Sequence, residues 1–434
     1  MASVLLLAGC RDEPSPEPRR TSPPPTASVP APTSASASPT PSTPRAKKAN
    51  ARPDDVNGDS RADLVVAYGE VGRRRLAVVY GSSRGLDPGK RAVVSSDAFQ
   101  PWFSGMEAEV GTRADLDGDG FGDILGYGST PGQDGRVRPY VFWGGPRGIK
   151  SRALPTPVRV PKESKWGEYW PIAGDYDGDG AADVAMSSPA DSGEDNMGLA
   201  VLYGPFSREG IPSRQTVQPS PTGYVLGRLA VDKIEGRRPT GLIVYEPDDD
   251  NQMPGWLLGG GPSGLAKEGR KLNAGMASAF GDFDGDGTRD IAVGDDGSRN
   301  DEPGYETEPP TVDRTLTVYY GDGRQKVFKG TAGAAVAGDF NGDGRDDLAF
   351  GGDREWPVSG RRHTVARIFW GGPGGLRAGG GVPGVGQAAP LAAGDYDGDG
   401  DDDLLFASGF DNLTIMVTDG RRVLTRFTTS SLRP

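Results

Sequence analysis

Residues 391–406 read LAAGDYDGDGDDDLLF. A short apolar run enters this stretch and a second one leaves it. Between them Asp395, Asp397, Asp399, Asp401 and Asp403 occupy positions 1, 3, 5, 7 and 9 of a nine-residue loop. Gly398 and Gly400 supply the positive-φ conformations that let so short a loop aim its side chains inward. Carboxylates packed this closely resist ionising together unless a cation lies between them. All-oxygen donors on a flexible glycine-containing loop select Ca²⁺ over Zn²⁺ or a dedicated Mg²⁺ cage.

Five further copies stand in register. Asp55, Asn57, Asp59 and Asp63 form the first, and Asp115, Asp117, Asp119 and Asp123 the second. Asp175, Asp177, Asp179 and Asp183 follow, then Asp282, Asp284, Asp286 and Asp290. Asp339, Asn341, Asp343 and Asp347 precede the copy already quoted. The first aspartates recur every 56 to 60 residues, except that 175 to 282 is a near-double step of 107. A worn copy fills that gap: Leu229-Ala230-Val231-Asp232 leads through Lys233-Ile234-Glu235-Gly236 to Gly241-Leu242-Ile243-Val244. Only its first acid remains in register, so a repeat without metal is expected there. The count is seven repeats, six of them metal loops.

Each repeat continues with a run that ends in an aromatic residue and a glycine, such as Val141-Phe142-Trp143-Gly144 and Val318-Tyr319-Tyr320-Gly321. Gly-Pro turns lead to a weaker fourth run. Runs of 4 to 7 residues punctuated by Gly, Pro, Asn and Asp are strands joined by turns. Four strands per repeat, seven times, predict an all-β chain: a seven-bladed β-propeller of four-stranded antiparallel blades. Approximate blades are 51–107, 108–168, 169–225, 226–275, 276–332, 333–388 and 389–434. A solenoid needs end caps, and neither end of 51–434 reads as one. Residues 50–54 make a poor first strand for blade 1. That strand is therefore short and irregular, or the run 423–427 is shared between blades in another way.

The GD-D-NGDG-x-x-DL loop followed by a VYYG-type strand resembles the FG-GAP repeat family, the integrin α-like propellers, over essentially all of 51–434. The resemblance implies Ca²⁺ in the loop between the first and second strands of a blade. It also implies that the carbonyl at position 7 completes each site, at Arg61, Phe121, Ala181, Thr288, Arg345 and Asp401. An EF-hand, which also opens D-x-D-x-D-G, requires a glutamate at position 12 and flanking helices. Position 12 here is Val66, Gly126, Met186, Val293, Phe350 and Phe406, each within a strand-like run. Six similar sites around a ring read as structural clips, because catalysis needs one asymmetric site with an open position.

The chain has 434 residues, with 60 acidic and 48 basic side chains, one cysteine and one histidine. Six Ca²⁺ would offset the net charge of −12, and no basic footprint for nucleic acid exists. Val4 to Ala8 are apolar and end at Leu7-Ala8-Gly9-Cys10, which resembles a lipobox with Cys10 as the lipidated residue. Segment 1–10 is thus expected to be a lipoprotein signal; Met1-Ala2-Ser3 lacks the usual positive region, which points to a start upstream of Met1. Residues 11–50, rich in Pro, Ser, Thr and Ala, are expected to be a disordered, semi-stiff tether. The expected location is the outer face of a bacterial cytoplasmic membrane or the cell surface, with a monomeric head and a lipid as the only anchor.

In an up-and-down blade the metal loops and the Gly-Pro turns share one face, and the strand 2–3 loops and inter-blade segments share the other. Variable loops on a rigid scaffold usually carry binding. There the chain places Trp102, Trp166, Tyr169 and Trp170, a basic side including Arg73 and Arg361, and an acidic side including 294–314. A carbohydrate or protein ligand is expected on that face. His363 stands beside Arg361 and Arg362 as a surface residue, which leaves Ser–His–Asp and Cys–His chemistry nothing to draw on. The expectation is a non-catalytic binding or adhesion module. The alternative is a polysaccharide-acting lyase or glycoside hydrolase using paired carboxylates.

Overall fold

The computed structural model describes residues 52–69, 74–101, 112–132, 137–152, 154–161, 171–189, 197–247, 250–300, 302–304, 307–352, 364–409 and 412–432. All belong to the compact unit Ala46–Pro434. The signal, Cys10 and the tether lie outside the described residues.

The apolar runs are strands, and they pair as the repeat predicts. Blade 1 contains β1 (Leu64–Tyr68), β2 (Arg75–Val79) and β3 (Arg91–Val94). Blade 2 contains β4 (Gln100–Pro101), β5 (Thr112–Ala114), β6 (Asp123–Ser129), β7 (Arg138–Phe142) and β8 (Thr156–Pro157). Blade 3 has β9 (Ile172–Gly174), β10 (Asp183–Pro189), β11 (Met197–Tyr203) and β12 (Arg214–Pro219). Blade 4 has β13 (Arg228–Val231), β14 (Leu242–Tyr245), β15 (Pro254–Leu258) and β16 (Arg270–Ala274). Blade 5 has β17 (Ala277–Gly281), β18 (Asp290–Gly294), β19 (Thr315–Tyr319) and β20 (Gln325–Lys329). Blade 6 has β21 (Ala334–Gly338), β22 (Asp347–Gly351), β23 (Arg367–Trp370) and β24 (Arg377–Gly381). Blade 7 has β25 (Ala389–Gly394), β26 (Asp403–Ser408), β27 (Thr414–Thr418) and β28 (Val423–Thr428). Neighbours pair antiparallel in chain order.

Two blades depart from the regular scheme. Blade 1 has three strands among the described residues, since 52–63 contains none. In blade 2, β4 and β5 both pair with β6, so its innermost strand is split. Gln100 and Pro101 therefore belong to blade 2, and the boundary drawn at 107/108 moves towards the N-terminus. The run 423–427 lies in β28, which pairs with β27 and stays in blade 7.

The core consists of seven apolar seams, each drawn from two consecutive blades. In β10, Val184 and Met186 face blade 2 while Ala185 faces blade 4. In β26, Leu404 and Phe406 face blade 6 and Leu405 faces blade 1. A second strand so placed is covered on both faces. This is why β1, β18 and β22 are buried throughout and read as unbroken apolar runs rather than alternating ones. The outer strand β20 alternates between exposed and half-buried residues. Each fully buried Leu or Phe contributes about 1.5–3 kcal/mol, so the seams carry most of the stability.

The seventh seam closes the ring. Leu64, Val66 and Val79 of blade 1 pack with Leu405, Ile415 and Val417 of blade 7. Ala62 N donates to Asp395 O at 2.9 Å, and Tyr68 Oη donates to Leu432 O at 2.9 Å. Arg52, where a first strand was expected, pairs with Asp395 Oδ2 at 2.9 Å. Among the described residues, blade 1 thus fastens to blade 7 through this seam and these contacts, with no inner strand between 52 and 63.

Candidate metal centres

The six acidic loops share one hydrogen-bond scheme. The position-1 aspartate accepts from the position-6 N–H in every loop, for example Gly180 N to Asp175 Oδ2 at 3.0 Å and Gly344 N to Asp339 Oδ2 at 2.8 Å. The position-5 aspartate accepts from the position-7 N–H in every loop, as in Ala181 N to Asp179 Oδ1 at 2.8 Å. These bonds satisfy the backbone of a turn that has no ladder partners. The turn also needs left-handed residues at position 4, where Gly398 has φ +82°.

Position 9 ties the loop to the rest of the blade. In five loops its carboxylate accepts from the position-2 N–H and from the glycine that follows the third strand. Asp183 thus takes Tyr176 N at 2.8 Å and Gly204 N at 2.9 Å, and Asp290 takes Phe283 N at 2.9 Å and Gly321 N at 2.8 Å. Asp63, Asp123 and Asp347 repeat the arrangement with Gly81, Gly144 and Gly371. The aromatic-glycine signature is explained by this contact. A Cβ at Gly81, Gly144, Gly204 or Gly371 would strike the position-8 carbonyl of its own loop.

Loops also bond to one another around the ring. The position-8 N–H of one loop donates to the position-1 carbonyl of the preceding blade: Gly122 N to Asp55 O at 2.6 Å, Asp346 N to Asp282 O at 3.1 Å and Asp402 N to Asp339 O at 2.8 Å. Ala62 N to Asp395 O belongs to the same series, and Thr240 N to Asp175 O at 2.7 Å extends it to blade 4. Each loop is therefore part of a blade-to-blade junction.

Burial of the position-9 acids opposes their ionisation. It pushes Asp63, Asp183, Asp347 and Asp403 up to about 7, Asp123 to about 8 and Asp290 to about 6. Backbone N–H bonds pull the other way in each, and neighbouring loop aspartates add to the rise. Burial also raises Asp55 and Asp175, and pushes Asp115 up to about 6.

In four loops three acids bring ligand oxygens within 4.8 Å of one another: Asp115, Asp117 and Asp123; Asp175, Asp177 and Asp183; Asp282, Asp284 and Asp290; Asp395, Asp397 and Asp399. These groups can each hold a metal ion. Positions 1, 3 and 9 converge in the first three, and positions 1, 3 and 5 in blade 7. In blades 1 and 6 an asparagine, Asn57 or Asn341, takes position 3 in a loop of the same hydrogen-bonding scheme. Hard oxygen donors alone, with no thiolate or imidazole, suit Ca²⁺. At position 7, the N–H of Arg61, Phe121, Ala181, Thr288, Arg345 and Asp401 is held by the position-5 acid.

In blade 4 the one acid in register, Asp232, pairs with a protein cation. Asp232, 3% exposed, receives Arg289 Nε and Nη2 at 2.6–3.0 Å. Arg289 Nη1 reaches Asp346 Oδ2 at 2.6 Å, and Lys233 Nζ reaches Asp346 Oδ1 at 3.1 Å. Burial disfavours the Lys233 ammonium, but Asp346, Asp402 and Glu235 more than offset this and raise its pKa. The chain Asp232–Arg289–Asp346–Lys233 joins blades 4, 5 and 6. The signal for it lay at position 8, where Ala62, Gly122 and Ala182 give way to Arg289, Asp346 and Asp402. Breaking a buried pair by removing one partner costs about 3–5 kcal/mol. Arg289→Met is expected to lose that much in chemical denaturation, equally with calcium or with chelator.

The predicted ligand-face residues Trp102, Trp166, Tyr169, Trp170, Arg73 and Arg361, and His363, lie outside the described residues. Of the acidic side, Asp295 is wholly buried and pairs with Arg299 at 2.6 Å, while its Oδ2 also accepts Arg314 N at 2.6 Å. Asp296 accepts from Gln252 Nε2 at 2.7 Å and from Ser298. Asp295 braces its own loop, because a long connection must satisfy its backbone internally, and Asp296 ties that loop to Gln252 of blade 4.

Residues 339–406 match the sequence profile described as the FG-GAP-like repeat. A search of curated proteins finds no match. Among solved structures the chain is similar to the rhamnogalacturonan lyase YesW, at 13% identity and TM-score 0.41, covering 83% of this chain and 70% of that one. It is also similar to AofleA from Arthrobotrys oligospora, at 11% identity and TM-score 0.35, covering 81% of this chain and 93% of that one.

Proposed function

We propose that this FG-GAP-like seven-bladed propeller is a calcium-stabilised, non-catalytic binding or adhesion module. It engages a carbohydrate or protein ligand through the face opposite the calcium loops. A lipid on Cys10 holds it to the outer face of a bacterial cytoplasmic membrane or to the cell surface, and the head is monomeric. No helix among the described residues is long and apolar enough to cross a membrane. One observation carries the reading: six loops with one hydrogen-bond scheme sit at blade junctions around a ring. Equivalent sites at junctions suit clips, and leave the ligand to the other face. Extracellular modules bind Ca²⁺ with dissociation constants of about 10⁻⁴ to 10⁻³ M, so such clips fill outside a cell.

Glycan and peptide arrays probed with the purified head, with and without calcium, test this. Calcium-dependent binding of a glycan or peptide that is released unchanged is expected. Cleavage of a bound polysaccharide, read as new reducing ends or unsaturated products, would replace the binding module with the enzyme.

A further inference from the structure

We infer that Arg208, Arg214 and Arg324 are fixed counter-charges that weaken the calcium affinity of the loops they touch. The inference rests on the calcium reading above. Arg208 Nη2 meets Asp119 Oδ2 at 2.6 Å, and its Nε contacts Asp117. Arg214 Nη2 meets Asp177 Oδ2 at 2.7 Å, and Arg324 Nη2 bonds Asp284 Oδ2. Every one of the three touches the position-3 carboxylate of a metal loop.

Each guanidinium also lies over an aromatic ring. Arg208 is 5.1 Å from the centre of Trp143, Arg214 3.3 Å from Tyr203, and Arg324 4.7 Å from Tyr320. Those rings stand at the end of the third strand in the blade whose loop the arginine meets. Two of the arginines share one register position: Arg214 opens β12 opposite Tyr203, and Arg324 just before β20 lies opposite Tyr320. Arg208 reaches over from blade 3 to blade 2 and builds the same stack of carboxylate, guanidinium and ring from a different place. A ring face orients a guanidinium and adds about 0.5–1 kcal/mol at exposed sites.

The stacks stand on three of the four loops that have an acid at position 3. Blades 2, 3 and 5 have four carboxylates at positions 1, 3, 5 and 9, and each has a stacked arginine. Blade 7, with an acid at position 3 as well, has Arg52 on Asp395 at 2.9 Å. Blades 1 and 6 have three carboxylates and Asn57 or Asn341. In these two loops Arg61 pairs with Asp59 at 3.8 Å and Arg345 with Asp343 at 3.7 Å, through the position-5 acid and not through position 3. An arginine on position 3 of a four-acid loop offsets one of its four carboxylate charges. Calcium affinity in oxygen sites follows ligand charge count. A unit charge about 5 Å from a divalent ion, under nearly aqueous screening, changes affinity about tenfold.

The test is calcium titration of the chelator-stripped head by isothermal calorimetry, on the parent and on R208Q, R214Q and R324Q. The arginine side chains are 44–47% exposed, so the variants keep the fold, which circular dichroism checks. Each Gln variant is expected to bind calcium about tenfold more tightly at one site of the set, and the triple variant at three. R208K, R214K and R324K keep the charge and are expected to titrate like the parent. Parent binding with unchanged or weaker affinity in the Gln variants overturns this inference alone. A parent that takes up no calcium overturns it together with the calcium reading.

Discussion

Calcium at about 10 mM is expected to raise the melting temperature of the chelator-stripped head by about 10–20 °C. A site with a dissociation constant of about 10⁻⁴ to 10⁻³ M contributes about 1.4–2.7 kcal/mol at that concentration, and six contribute about 8–16 kcal/mol. Unfolding entropy near 2.1 cal/mol/K per residue over about 380 residues converts this into the stated shift. The effect reaches the whole ring because the loops are not appendages. Their position-8 N–H groups bond the preceding blade, as Asp346 N does to Asp282 O, and their position-9 acids bond the end of the third strand. Loosening one loop therefore weakens a blade junction as well as a turn. Differential scanning calorimetry in excess chelator and then in calcium checks this, and coincident melts would remove the structural role of the metal. Magnesium, which demands a tighter octahedron and gives up water reluctantly, is expected to do much less.

The ring, its seven repeats and the metal loops were legible because each rests on local chemistry. Second strands read as unbroken apolar runs since blades cover both faces, and the loop acids recur at alternate positions because one turn geometry recurs. That blade 4 keeps a single acid in register, Asp232, was legible as well. The pairing of Asp232 with Arg289 was harder to read, since the partners are 57 residues apart and only the position-8 column hints at them. Of the arginines stacked beside Asp117, Asp177 and Asp284, Arg214 and Arg324 share a register opposite a strand-ending tyrosine, whereas Arg208 enters from the next blade and leaves none. Blade 1 shows the same limit. The poor run before Asp55 left open a short, irregular first strand or a different sharing of 423–427, whereas Arg52, Ala62 and Leu432 as the fastening were visible only in three dimensions. Asp295 misled for a related reason: an acid in a long loop reads as exposed, and its burial depends on Arg299 and on the backbone of Arg314.

The same loops are expected to make stability respond to pH in opposite directions with and without calcium. Burial, partly opposed by backbone N–H bonds, holds Asp63, Asp183, Asp347 and Asp403 at about 7, Asp123 at about 8 and Asp290 at about 6 in the metal-free fold. In the unfolded chain an aspartate titrates near 3.9. Between those values the fold binds more protons than the unfolded chain, so metal-free stability falls as pH rises through the window from about 4 to about 8. The stabilisation from protonation is complete below about 4 and gone above about 8. Calcium reverses the preference by requiring the ionised carboxylates, so acid then competes with the ion and stability falls as pH drops. In chelator, the melting temperature at pH about 5.5 is expected to exceed that at pH about 8 by on the order of 5–10 °C. In saturating calcium the order inverts. Asp123→Asn is expected to remove part of the slope in chelator, because the amide has no proton to lose, and also to weaken one calcium site. Parallel pH profiles in the two media would show that the position-9 acids are not the groups that calcium and protons share.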